Sequence, residues 1–194
     1  SNSIDPVIHT GGNMLVGKNV RLRALEKSDL PNCVRWLNDR DVTQFLLHNS
    51  PMSMAAEEKW FEHQQTIPPT NGQVLAIEVL VEGQWVYIGN TGLHQIDSII
   101  REAEFGIFIG EKQFWNKGYG REATLLTLKL GFEDLNLNRI YLYVFESNPR
   151  GIAAYKAAGF VQEGLLREAM YKNGKYINVL VMSVLRSEWR GYQI

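Results

Sequence analysis

Cysteine occurs once in the 194 residues, at Cys33, so no disulfide can close within the chain. Cys33 falls in a helical pattern beside Trp36 and Leu37, where a lone thiol reads as a small buried apolar residue. Histidine is sparse too. His9, His48, His63 and His94 lie far apart without metal-ligand spacing, so no metal is expected. No apolar run approaches the ~20 residues of a membrane span, and no secretory signal is visible. The expectation is a cytoplasmic, reducing setting with no membrane partner. A surplus of charge is also missing. Twenty Lys and Arg stand against 21 Asp and Glu, a net charge of −1. That argues against a dedicated nucleic-acid binder, which carries a basic excess.

What is present is material for a substantial core. Hydrophobic residues make up 45% of the chain, which suits one domain of ordinary size. Residues 1–18 are polar and glycine-containing and read as a flexible arm. Ser1-Asn2 fits a tag remnant and Met14 a native start. The domain proper is then 19–194. "NVRLRAL" alternates as a strand, and Ser28 or Asp29 opens a helix with Leu30, Val34 and Leu37 on one face. A second helix spans 52–66 and a turn 68–72. Strands follow at 73–81 and 86–96, joined by "EGQW", and at 102–110. Residues 118–136 form a helix with two apolar seams, Ala123-Leu126-Leu130 and Leu125-Leu128-Phe132-Leu135, a width that implies burial on most sides. A strand at 139–145 completes a βαβ crossover. Asn148, Pro149 and Gly159 suit the N-cap, first position and C′ stop of another helix. Asn173-Gly174 marks a tight hairpin near the end. The expected fold class is mixed α/β: one mostly antiparallel sheet, splayed at a single parallel strand pair, with helices on both faces.

Two motifs come close and fail. "GNMLVGKN" (12–19) has the spacing of a phosphate loop in Gly12, Gly17 and Lys18, but Asn19 replaces the Ser or Thr that would hold Mg²⁺, and a strand follows instead of a helix. "GYGREA" (118–123) nearly spells the dinucleotide fingerprint. However, eight residues separate it from the preceding strand, and the earlier strands pair as hairpins. It would make the chain a nicotinamide-dependent oxidoreductase.

The stretch "FWNKGYGREA" (114–123) sets Gly118 and Gly120 at a helix start beside Lys117 and Arg121. A helix N-terminus presents unpaired N–H groups and partial positive charge, and glycines let a phosphate reach them. A plain glycine turn opening a buried helix fits equally well on local grounds. "NPRGIAAYKAAGF" (148–160) tips the balance. Asn148 and Tyr155 are seven residues apart, two helical turns, about 10 Å along one face. Two parallel strands, each followed by a helix, bring both helix starts to one sheet edge. That edge suits a ligand with phosphates at one end and reactive chemistry at the other.

These residues resemble the GNAT superfamily of acyl-CoA-dependent N-acyltransferases. "FWNKGYGREA" is similar to its pyrophosphate loop and "NPRGIAAYKAAGF" to its N-x-x-A-x-x-x-Y-x-x-x-G-F segment. "NVRLRALEKSDL" and the tail from Glu163 are similar to the subgroup of ribosomal-protein N-terminal and spermidine acetyltransferases. Two departures stand out: Trp115 where the family pattern has Gln or Arg, as often in this subgroup, and Asn178 where many relatives carry Asp.

The resemblance implies acetyl transfer from acetyl-CoA, as cosubstrate, to a primary amine. The amine is a peptide N-terminus or, alternatively, a polyamine, aminoglycoside or amino sugar. It implies Tyr155 as general acid, Glu104 as base or amine-binding carboxylate, and Asn148 as cap and orienting group. It also implies backbone contacts to pantetheine from Ile107, Phe108 and Ile109. The phosphates would meet Trp115, Asn116, Lys117, Gly118, Tyr119, Gly120 and Arg121, with Lys156 and Arg150 near the 3′-phosphate. Asp39, Phe45, Trp60 and Tyr171 are placed in the acceptor pocket by location alone. Glu57 and Glu58 could serve a polycation. A homodimer is plausible from the subgroup. A non-catalytic acyl-CoA sensor is a further alternative.

Overall fold

The computed structural model describes residues 14–194. Gln73–Val81 (β3) is buried from Leu75 to Val79, as an apolar run flanked by strands and covered on both faces should be. It pairs antiparallel with Val20–Ala24 (β2) and Gln84–Asp97 (β4). The β3–β4 turn is tighter than the sequence suggests. Glu82 and Gly83 both take positive φ, 48° and 78°, the signature of a two-residue hairpin. Glu102–Ile109 (β5) follows, then Arg139–Phe145 (β6), Val161–Lys172 (β7) and Lys175–Leu185 (β8). The eight strands run β1-β2-β3-β4-β5-β6-β8-β7. Strand β1, Met14–Val16, is a correction to the expected arm. These residues pair with β2 at the sheet margin. Gly12 of the phosphate-loop look-alike lies outside the described residues. Gly17 leaves room for the Tyr192 hydroxyl and the Glu122 carboxylate, which a Cβ there would displace.

Among the described strands only β5 and β6 are parallel. Their Cα register is Glu102 with Arg139, Ala103 with Ile140 and Glu104 with Tyr141, and there the pairing stops. Beyond it β5 stays with β4 as far as Ile109, and β6 stays with β8 as far as Phe145. The sheet therefore opens into a V.

The crossover helix α4, Tyr119–Lys129, explains how the V is held. One seam, with Ala123 and Leu126, packs into Leu22, Ile77, Val79 and Ile88 of one half. The other, with Leu125 and Leu128, packs into Phe105, Ile140, Leu142 and Met182 around the apex and the second half. Each buried leucine contributes about 1.5–3 kcal/mol, so one helix rivets both halves. The helix expected to Asn136 ends at Lys129 and continues as a wider turn, Leu130–Asp134, in which Leu135 N donates to Leu130 O at 2.9 Å. On the other face lie α1 (Leu30–Leu37), α2 (Arg40–Thr43) and α3 (Met54–Thr66), the last capped by Ser53. They bury Leu30 and Cys33 against Ala76. Helix α5, Pro149–Ala157, packs on the α4 side through Ile152 and Tyr155. Among the described residues no helix is long and apolar enough to cross a membrane.

Candidate active site

The loop before α4 is built for close approach. Asn116 and Gly118 both hold positive φ, 60° and 85°, and Gly118 caps the helix. The first intrahelical bond runs from Glu122 N to Gly118 O at 3.1 Å. The N–H groups of Tyr119, Gly120 and Arg121 thus lack intrahelical partners. A Cβ on Gly118 would meet nothing within 4 Å, and one on Gly120 would only touch Ile109 Cγ1 at 4.0 Å. The protein's own packing therefore does not require glycine at 120. The vacated space is an open cradle, with Lys117 and Arg121 exposed at its rim and without ion pairs among the described residues. The Tyr119 ring turns away onto Phe114, 5.9 Å between centroids, leaving its N–H to the cradle.

The V opens beside it, where Ile109 approaches Gly120. Gly110 N donates to Ile88 O at 2.7 Å, and Thr91 Oγ1 donates to Gly106 O at 3.1 Å. An added Cβ on Gly89 would run into Phe108 O. Alternation then turns the backbone groups of Gly106, Phe108 and Gly110 toward β4, and those of Ile107 and Ile109 into the V. This corrects the expectation for Phe108, whose backbone is committed to the ladder. Trp115 Nε1 donates to Ile109 O at 2.8 Å. Its indole braces the strand end, which accounts for tryptophan at that loop position.

Tyr155 packs on the α5 side of the V, its ring edge-on to Phe105 at 6.2 Å and to Phe160 at 5.8 Å. Burial pushes its phenol up to about 12, so it stays protonated and able to donate at neutral pH. Asn148 Oδ1 accepts from Gly151 N at 3.0 Å. Its oxygen caps the helix, and its amide NH₂ makes no hydrogen bond among the described residues. Arg150 and Lys156 are exposed on the same helix.

Alternation places Glu104, Gly106 and Phe108 on the opposite face of β5. Glu104 sits at the apex of the V beside Tyr141, and burial raises its carboxyl above the ordinary range. Further along that face is a cavity of about 360 Å³ lined by Leu37, Leu46, Met52, Glu57, Trp60, His94, Gly106 and Phe108, among others. Glu57 is 3% exposed, and burial raises its carboxyl, with no hydrogen bond or ion pair among the described residues to offset it. His94 also faces this cavity, and burial holds its imidazole below the ordinary value. Sequence reading treated His94 only as a non-ligand. The glycines at 92 and 106 around it were the available signal.

The other acceptor candidates disperse. Trp60 lines this cavity, whereas Tyr171 lines a second of about 720 Å³ with Arg40, His48 and Lys172. Phe45 lines a third of about 560 Å³ with Glu146 and Lys175. Asp39 is bound to Lys112 at 2.8 Å and caps α2. Asn178 Oδ1 accepts from Glu168 N at 2.9 Å, holding a bulge in β7. Lys172, at the hairpin tip, is buried and donates to Leu46 O at 2.8 Å and to His48 O. It pins the loop whose Leu46 walls the first cavity.

Parallel strands that splay beside a glycine-opened helix start, with a buried phenol on one face and a cavity of about 360 Å³ on the other, are the architecture of an acyl-CoA-dependent acyltransferase. Residues 19–161 match the family model described as an acetyltransferase (GNAT) domain. The chain belongs to the GNAT family and is an acetyl-CoA-dependent N-acetyltransferase. Spermidine N(1)-acetyltransferase of Vibrio cholerae is 32% identical over 175 residues, 90% of this chain and 97% of that protein. YdaF of Bacillus subtilis, a proposed ribosomal N-acetyltransferase, is 28% identical over 182 residues, 91% and 96% of the two chains. A crystal structure of spermidine N-acetyltransferase from Vibrio cholerae with CoA and spermine gives a TM-score of 0.81 at 31% identity, covering 89% of this chain and 98% of that one.

Proposed function

We propose that the acceptor is an aliphatic primary amine of the polyamine class, acetylated in the reducing cytoplasm. The observation that carries this is Glu57, a buried carboxylate without a partner in a largely apolar cavity. Burying an unpaired charge is costly. A bound ammonium would offset that cost at Glu57 while apolar walls such as Leu37, Leu46 and Trp60 cover methylenes. The spermidine acetyltransferases among the relatives support the same reading.

The pyrophosphate would rest on the N–H groups of Tyr119, Gly120 and Arg121, and pantetheine would run along Ile107 and Ile109 as an added strand. The amine nitrogen bonds to the thioester carbonyl carbon, and the carbonyl oxygen takes up negative charge beside the N–H groups of that strand. The C–S bond then breaks, the sulfur receives the Tyr155 proton, and the proton shed by the nitrogen returns to the phenolate. A second reading, a peptide N-terminal amine, draws on Arg40, His48, Lys172 and Lys175. These residues line the neighbouring cavities and would repel the far end of a polycation.

The test measures CoA thiol release with spermidine, spermine, monoamines and Ala-, Ser- and Met-starting peptides. The polyamine reading expects polyamines to give the highest kcat/KM, and Glu57→Gln to raise their KM about tenfold. Preference for peptides, with Glu57→Gln neutral, would overturn it in favour of the second reading.

A further inference from the structure

His94 is placed by a bulge. The β4–β5 register shifts between His94 and Asp97, and Gln95 takes φ 50°. A bulge bends its strand and re-aims the side chains around it. The imidazole then lies over two glycines. A Cβ on Gly92 would meet Gln73 O at 2.5 Å and stand 3.0 Å from both Cε1 and Nε2, and one on Gly106 would make an ordinary contact with Nε2 at 3.7 Å. Glycine at 92 thus leaves room for both the β3 carbonyl and the ring, and the ring rests on Gly106. Neither ring nitrogen has a hydrogen-bond partner among the described residues, and neither is sealed from the cavity. The charged groups around the ring are Glu57 from α3, across the cavity, and Glu104, its register partner on β5. No lysine or arginine lines the cavity.

We infer that His94 is the general base that takes the proton from the attacking amine. The inference rests on the reading of the 360 Å³ cavity as the acceptor site. As nitrogen bonds to the thioester carbon, one N–H proton passes to a His94 ring nitrogen. The C–S electron pair leaves on sulfur with the Tyr155 proton. Water then carries the proton from imidazolium back toward the phenolate, so the cycle closes without a further reactant.

Glu104 competes for this role and is less suited to it. It lies at the apex of the V and does not line the cavity. In water an imidazole is also a stronger base than a carboxylate by about two pK units. Burial narrows that gap, since it lowers His94 and raises Glu104. Position therefore decides. The lowered imidazole is neutral at pH 7, with a lone pair free.

The test compares His94→Gln and Glu104→Gln with wild type, using the best acceptor found, from pH 6 to 10.5. His94→Gln is expected to lose about 10²–10³-fold in kcat at pH 7, with KM for acetyl-CoA unchanged. The deficit should shrink toward pH 10.5, because hydroxide then accepts the proton that His94 no longer takes. Glu104→Gln should lose less than about tenfold, in parallel with wild type at every pH. The inference is overturned if His94→Gln stays within threefold, or if Glu104→Gln shows the pH-rescued loss instead. It is also overturned if CoA affinity falls in step with kcat.

His94→Asn serves if the first variant folds poorly. A separate readout is the His94 imidazole titration in the wild type by NMR, expected to lie below the free value of about 6.5. An imidazole that stays protonated through pH 8 has no lone pair to accept the proton and refutes the inference even if no amine is turned over. The absence of any turned-over amine would count against the acceptor reading alone.

Discussion

Gly120→Ala separates binding from folding. The nearest protein atom to the new methyl is Ile109 Cγ1 at 4.0 Å, an ordinary contact. Gly120 lies in the first turn of α4 and needs no positive φ. Alanine there reduces the freedom of the unfolded chain and favours the helix by up to about 1 kcal/mol. For a domain of this size that is a rise of about 2–4 °C in melting temperature at most. The same methyl fills the cradle and holds a phosphate off the N–H groups of Gly120 and Arg121. Losing one charge-assisted hydrogen bond costs about 1.5–3 kcal/mol, or roughly 10- to 150-fold in Kd. Scanning calorimetry of the apo protein and isothermal titration with CoA measure the two effects independently. The variant should be at least as stable as wild type and bind CoA at least tenfold more weakly. Undiminished CoA binding would refute the cradle. Gly118→Ala is the contrast: its φ of 85° makes alanine cost about 1–2 kcal/mol of folding, so both measurements should worsen.

Tyr155→Phe should lower kcat about 10²-fold with little change in KM for acetyl-CoA. Because burial raises the phenol to about 12, its active protonated form persists, and stopped assays should show no loss from phenol ionisation up to pH 10.5. Glu57→Gln should raise stability at pH 8. The folded carboxyl prefers its proton, so its stabilising contribution is present at low pH and lost as pH rises through the raised folded value. Melts at pH 5 and pH 8 should show the variant's advantage growing with pH. Lys172→Met removes both donors to the loop carbonyls. Hydrogen exchange over residues 44–50 should quicken and the amine KM should rise about three- to tenfold, since roughly 1 kcal/mol of wall positioning is lost. Tyr192→Phe leaves the buried Glu122 carboxylate without its 2.6 Å hydroxyl partner, though Asn19 N still donates. The melting temperature should fall by about 3–6 °C.

The sequence disclosed what local rules govern. β3 and β6 fall where alternation and apolar runs put them, and Asn148, Pro149 and Gly159 cap α5 as their chemistry demands. Asn173 and Gly174 make their turn with φ 52° and 77°. The two seams of α4 even anticipate the two clusters it joins. What escaped is set by register and distance. Met14–Val16 is a strand only because β2 pairs with it. Phe108 and Ile107 look alike in sequence, and only the ladder with β4 decides which turns its backbone into the V. Glu57 reads as one of many acids on a polar helix until the fold buries it. His94 acquires meaning from a bulge and from two glycines on neighbouring strands. The acceptor pocket was least legible, because α3, β4, β5 and the loop after α2 all contribute walls.

The V has one more consequence. Unpaired strand edges normally lie at the margin of a sheet, where charge or twist protects them. Here the open edge of β5 lies in the middle, and the two seams of α4 prevent the halves from closing over it. A bound thioester cofactor would cover that edge, and its binding free energy would add to the stability of the folded chain as RT ln(1 + [L]/Kd). The cellular supply of CoA would then set how long the enzyme survives as well as how fast it works, so a starved cell would lose the catalyst along with the acetyl donor.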